Sequence, residues 1–438
     1  MNPIVAQPDE GGKDSKFSRH VVTPQDIKMS LAHIRKYLKP YNNLMNRVEQ
    51  ERNLALMIEG LTSNLERKSV EPVAVMHGLP RRALQRFVGE AGWSHAPLRD
   101  QLIAEVTSEI GIDDGTLILD GSATPKKGTN TVGVARQWCG RLGKTDNCVV
   151  GVYAAYVGRS DLAALVGAEL YLPKVWADDL GRRESAYVPP MIEYRTQPEI
   201  AAELVSTLSA KDLPFSWVLG DDEFGRKREL RDEIFAMGKN YILDVPKNSV
   251  VRRRLKSGRL ADKKWSAEKL VSRAPESKWT ALHVRDGEKQ SLDVRVITFP
   301  VATPRDGAPW APETLVVIET LDRSERWYCL TRCPDDTPLF ELVRRAGMRH
   351  RVEQVFQEAK GEVGLDHFEV RAWHGWYHHM TLCQIAHWFL VREKRRLGKK
   401  RGSPHHQPDP PGDRSAPRAA FESIRIGPSH QLPLSAQS

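Results

Sequence analysis

The sequence predicts an α/β protein: a mixed sheet with flanking helices, preceded by a helical region and extended late by a β-rich segment. Three observations carry this prediction. Two short apolar runs bounded by turn residues, TLILDGS at 116–122 and FSWVLGDDEFG at 215–225, read as buried strands. The second is followed by GRKRELRDEIFAMGKN, a helix stopped by Gly238, and then by the strand YILDV; a strand, helix, strand unit implies a parallel pair within the sheet. From 246 to about 340 the rhythm changes to basic turns (VRRRLKSGR), Pro-rich loops (FPVATPRDGAPWAPE) and alternating strands (LVVIET, RWYCLT), which read as a β-rich insertion.

In chain order, residues 1–25 are polar and read as a disordered leader. Residues 26–112 read as a helical domain, in which TPQDIKMSLAHIRKYL opens with a Thr cap and Pro, and Leu54, Ile58 and Leu61 recur at helical spacing. Its PRRALQRFVGEAGW stretch sets two arginines beside an apolar face and makes it a candidate DNA-binding region. Residues 113–395 hold the sheet and the insertion. They end with the helix of RHRVEQVFQEAK and a further helix in which Leu382, Ile385, Ala386, Phe389 and Leu390 repeat. Residues 396–438 read as a basic, disordered tail; from Arg392 to Arg401 there are seven basic residues and one acid.

Composition narrows the function. The 438 residues are 40% hydrophobic, enough for two or three domains with real cores. A formal net charge of +9 favours an anionic partner such as nucleic acid. No apolar run approaches the ~20 residues of a membrane span, and the N-terminus lacks the apolar core of a signal peptide, so a soluble, cytoplasmic protein is expected. Five cysteines, few and odd in number, argue against a disulfide framework, and Cys329 and Cys333 read as ordinary thiols rather than zinc ligands.

The chemistry lies in three acids. Asp120 and Asp221 each close a predicted buried strand, and sheet enzymes gather reactive groups at strand carboxyl ends. Glu353 lies on a later helix. At about 100° per residue, Arg349 and Lys360 fall within about 40° of it, beside an apolar stripe of Val352, Val355, Phe356, Ala359 and Val363. Three carboxylates from separated elements form an available site for Mg²⁺, which prefers oxygen ligands, and two such ions can activate a nucleophile and stabilise the leaving oxygen of a phosphodiester. The cations would then meet phosphates. Lys126 and Lys127, in a Gly-bounded loop after the first acid, are further candidate phosphate contacts. Trp373 and Trp376 read as packing, and His378 and His379 as at most DNA-facing.

The blocks around these acids resemble the insertion-sequence transposases that carry a DDE triad on a ribonuclease-H-like fold. RHRVEQVFQEAK has the Arg, three residues, Glu, six residues, Lys of that family's final motif; the continuation GLDHFEVRAWHGWYHHMTLCQIAHWFL, the stretch LDGSATPKKGTNTVGVARQWCGRLGKTDNCVVGV, AELYLPKVWADD and LGDDEFGR are similar in the same order, over roughly residues 25–395. The resemblance implies a ribonuclease-H-like catalytic domain, with Asp120 and Glu353 as first and last catalytic acids. The second block, Asp, two residues, aromatic, Gly, fits Asp221, Phe224 and Gly225, with Asp222 the near alternative. Arg349 and Lys360 match the DNA-phosphate contacts, and Trp327 in the insertion is a candidate for stacking on a flipped base. The family's Tyr falls at position 346, where this chain has Ala346.

The expectation is therefore a cut-and-paste DNA transposase. It would use two Mg²⁺ ions, with Mn²⁺ able to substitute, on double-stranded element ends and target DNA, as a homodimer on DNA. The alternatives are a relative that binds DNA without cutting it and a ribonuclease-H-like nuclease that does not join strands.

Overall fold

A computed structural model describes residues 32–285, 292–305 and 308–399. The predicted leader, the Thr23 helix start and the tail beyond 399 lie outside the described residues.

Among the described residues, short helical stretches up to Asn42 and then four longer helices precede the sheet: α1 (Val48–Leu61), α2 (Val70–Met76), α3 (Arg81–Gly89) and α4 (Ala96–Ile110). Their apolar faces, including Leu54, Ile58, Phe87 and Leu102, are buried in one continuous core with the sheet and the last helix. Hydrophobic residues every three to four positions make this inevitable, since a stripe so spaced needs a partner.

The strands are β1 (Thr116–Pro125), β2 (Ala135–Cys139), β3 (Lys144–Val157), β4 (Ala163–Leu170), β5 (Trp217–Gly220) and β6 (Asn240–Asp244), followed by β7 (Val250–Arg254), β8 (Leu260–Ser266), β9 (Thr280–Arg285), β10 (Leu292–Arg305), β11 (Ala308–Thr320) and β12 (Arg326–Arg332). They form one sheet in the order β2-β3-β1-β5-β6-β12-β11-β10-β7-β8, with β4 also on β3 and β9 also on β10. The portion β4-β3-β1-β5-β6 is ribonuclease-H-like: β1, β3 and β4 pair antiparallel, then β5 and β6 run parallel to β1. The crossovers are α5 (Gln197–Ala210), which opens on a capping box of Thr196 and Glu199, and α6 (Arg228–Ala236).

Strands β7–β12 continue this sheet from β6 and add a smaller core of Val251, Phe299, Leu315, Val317 and Leu330. A buried polar knot fastens them to the rest. The Glu313 carboxylate of β11 accepts from Arg231 Nε (2.7 Å), from the Tyr241 hydroxyl (2.5 Å) and from Thr303 Oγ1, while Arg231 also donates to the Gly225 carbonyl. The Arg231 and Glu313 side chains are 3% and 0% exposed, so each charge depends on the other.

Beyond β12 run α7 (Leu339–Met348), α8 (His350–Val363) and α9 (Trp373–Lys399). Helix α9 carries regular structure through Lys399, past the expected tail boundary at 396. His378 and His379 are not DNA-facing. Both are buried on α9, the His378 ring nitrogens 3.0 and 2.9 Å from the carbonyl oxygens of Val88 and Trp93 and its ring stacked on Trp93 at 3.7 Å. Burial pushes both imidazoles down to about 4; His378 fastens α9 to the N-terminal helices, and His379, its Nε2 3.1 Å from the Gly364 carbonyl oxygen, fastens α9 to the end of α8.

Candidate active site

Asp120 does not close its strand. β1 continues five residues to Pro125, because its antiparallel neighbour β3 is fourteen residues long and pairs with it throughout. Asp120 instead stands where the parallel neighbour ends, since Leu119 pairs with Gly220, the last residue of β5. Gly220 in turn pairs with Leu243 of β6. One step further along these three strands come Asp120, Asp221 and Asp244, so the register sets three aspartates on one rung.

Asp221 caps a single helical turn, Asp222–Gly225, its Oδ1 accepting from the backbone N–H of Glu223 at 3.0 Å and of Phe224 at 3.4 Å. The turn explains the motif. Phe224 is fully buried beneath it, and a Cβ on Gly225 would sit 1.8 Å from the Asp244 carbonyl oxygen, so only glycine lets the turn lie on the end of β6. Asp222 points to a different partner, Arg226, whose Nε is 3.2 Å away.

Glu353 lies in the first turn of α8, where the helix dipole favours a carboxylate. The chain pinches just before it: Arg349 donates its N–H to the Ala346 carbonyl, and Val352 donates to Arg349, both with i→i−3 spacing. Arg349 therefore sits between two helices and reaches toward the rung, its Nε 2.9 Å from Asp244 Oδ2 and its Nη2 3.9 Å from Glu353 Oε1. The His350 ring, Nδ1 3.3 Å from Oε2, lowers the Glu353 pKa, and Arg349 adds to this.

Burial, followed by the Asp221 charge and a smaller push from Glu353, raises the Asp120 carboxyl to about 8 against the opposing pull of Arg349. Burial likewise raises Asp221 and Asp244, again against Arg349. Four carboxylates thus share one nearby guanidinium, and the cluster is short of positive charge.

Lys360 is half-buried on α8, within the electrostatic reach of Asp366 and Asp120. Lys126 is turned inward: its Nζ donates to the Phe368 carbonyl at 2.6 Å and lies 3.4 Å from the Phe368 ring centre, whereas Lys127 is exposed. Trp327 is half-buried on β12, two residues before Cys329, whose thiol donates to Asp244 Oδ1 at 3.3 Å. Trp327 and Cys329 therefore share a face of the strand. Ala346 packs against the core from α7, next to Arg345, which is buried and donates to the Asp114 carbonyl at 3.0 Å. Asp244 was not singled out in the sequence; its signal was its place at the end of YILDV, equivalent to that of Asp221 after WVLG.

Among the described residues no three His, Cys, Asp or Glu side chains are drawn together closely enough to hold a metal ion. The donor set nonetheless suits a hard divalent cation: carboxylate oxygens on a rigid rung, the Asp120 carboxyl raised first by burial and then by the charge of its neighbours. This has a sign. A carboxyl raised from 3.8 to about 8 on folding contributes stability that is fully present below pH 3.8 and is lost as pH rises through 8. In metal-free protein the denaturation midpoint is expected to fall more steeply between pH 5 and 8 for wild type than for Asp120→Asn. Equal slopes would mean that folding does not raise the Asp120 carboxyl.

The sheet is ribonuclease-H-like, with aspartates at matching positions of its adjacent parallel strands. Residues 40–298 match the family model of the DDE superfamily endonucleases, and the chain belongs to that family. It is also 26% identical over 360 residues to a protein of Microchaete diplosiphon described as a probable transposase for insertion sequence element IS701, covering 80% of this chain and 85% of that one. Members of the family generally use divalent metal ions.

Proposed function

We propose that this endonuclease is the transposase of an insertion sequence, cutting phosphodiester bonds at the element's ends and joining the freed 3′ hydroxyls to target DNA in a cut-and-paste reaction. The observation that carries the reading is the rung of aspartates on adjacent strands with Glu353 and Arg349 leaning over it. Asp120, Asp221 and Glu353 are the proposed catalytic acids and would hold two Mg²⁺ ions, for which Mn²⁺ can substitute. When bound, the ions activate the attacking oxygen and stabilise the leaving one.

The chain's own residues supply the remainder. The buried rung fixes the carboxylates in a poorly solvated edge, and Arg349, Lys360 and exposed Lys127 present cations to DNA phosphates. Lys126, tethered to Phe368, supports the same loop from within, and Trp327 offers a half-buried ring to an unstacked base. The proposed partners are double-stranded element ends and target DNA, met by a homodimer assembled on DNA. None of the described helices is long and apolar enough to cross a membrane, which accords with action on DNA in the cytoplasm.

The test is excision from a plasmid carrying the gene's own flanking DNA with Mg²⁺, comparing wild type with Glu353→Gln. Excision by wild type alone is expected. If neither protein excises while both bind the flanks, the chain is a DNA-binding relative that does not cut, with the missing hydroxyl at Ala346 its first explanation. Cleavage of the flanks without joining would make it a nuclease only.

A further inference from the structure

Asp244 is a carboxylate that the proposed chemistry leaves unused, although it stands on the same rung as Asp120 and Asp221. Its contacts set it apart from them. It accepts from Arg349 Nε at 2.9 Å and from the Cys329 thiol at 3.3 Å, so each of its oxygens is engaged by a donor. Among the described residues the ion pairs of Arg349 are with Asp244 and, more loosely at 3.9 Å, with Glu353; none joins it to Asp120 or Asp221. Yet both of those acids feel its charge. The guanidinium is thus docked beside the seat that a divalent cation would take, without entering it.

We infer that Asp244 is a positioning residue that anchors Arg349 and keeps its guanidinium from competing with divalent cations for Asp120, Asp221 and Glu353. This rests on the reading of those three acids as the cation's holders. The physical argument is that a guanidinium binds whichever carboxylate offers the best-aligned, least solvated pair. Asp244 offers a partly buried oxygen at the base of the pinch between α7 and α8, with its other oxygen already fixed by Cys329. Without that anchor the nearest anions are the other three, and a resident guanidinium there would have to be displaced by each incoming ion. The same anchor leaves Nη2 of Arg349 3.9 Å from Glu353 Oε1.

The test measures Mn²⁺ binding to the full chain by loss of the free-ion electron paramagnetic resonance signal, with no DNA and no turnover. Asp244→Asn is expected to weaken Mn²⁺ binding about tenfold, the usual scale for losing a partner that orients a site. Asp244→Asn combined with Arg349→Gln is expected to return to within about threefold of wild type, because the competitor has gone. Asp244→Glu, which keeps the anchor's charge, is expected to lie closer to wild type than Asp244→Asn. If the double variant stays as weak as Asp244→Asn, Asp244 is itself a cation ligand and the inference is overturned. Unchanged binding by Asp244→Asn overturns it as well. Binding by wild type that Asp120→Asn does not weaken would instead overturn the underlying placement of the cation, a failure that can be told apart from the other two.

Discussion

Replacing Asp120 by Asn is expected to slow cleavage at an element end at least about a thousandfold, equivalent to about 4 kcal/mol, while changing DNA affinity by no more than about twofold. Asn has the same shape, and the backbone of Asp120 remains paired with Tyr153 across the β1–β3 ladder, so the strand has no reason to move. What disappears is a carboxyl at the β1 end of the rung that a bound cation would ionise, which neither Asp221, held by two backbone amides, nor Asp244, held by Arg349, can replace. The proposed phosphate contacts, Arg349, Lys360 and Lys127, lie outside β1 and have no reason to move. Gel assays of cleavage beside fluorescence-anisotropy titrations of the same DNA decide it. Loss of binding along with cleavage would mean that Asp120 is structural.

The second large effect is on stability. Glu313→Ala is expected to destabilise the fold by about 3–5 kcal/mol, because it leaves the Arg231 guanidinium buried without its counter-charge and strips the Tyr241 hydroxyl of its acceptor. Chemical denaturation measures it. A loss below about 1 kcal/mol would show that water reaches the knot and that the pair is not desolvated. Since Arg231 also holds the Gly225 carbonyl, the turn below Asp221 should loosen in the same variant.

Much of this was legible before any coordinates. Apolar runs ending in acids placed β1 and β5, and the strand, helix, strand spacing gave β6 and its parallel pairing with β5, because both signals are local. The Asp-x-x-Phe-Gly block was readable as a motif, although its cause, the approach of Gly225 to Asp244, is a contact between strands. What stayed hidden depends on register. Asp120 read as a strand end because its own sequence turns polar there, whereas pairing to the long β3 carries the strand to Pro125. Asp244 stayed unmarked because nothing within YILDV tells which rung it will share. The inward turn of Lys126 and the burial of His378 likewise follow from partners more than two hundred residues away, Phe368 and the α3 region respectively.

The strands of the insertion leave and return side by side. β6 ends at Asp244, and β12 re-enters with Cys329 directly opposite it. Topologically the intervening chain is a cassette spliced into a hairpin: its length can change without shifting the strand that bears Asp244, as a longer drawer can be fitted to the same runners. Its composition is less free. Any shortened cassette that omits β11 also omits Glu313, and it would have to exchange Arg231 for an apolar side chain in the same step, so the splice point is geometrically permissive but chemically keyed.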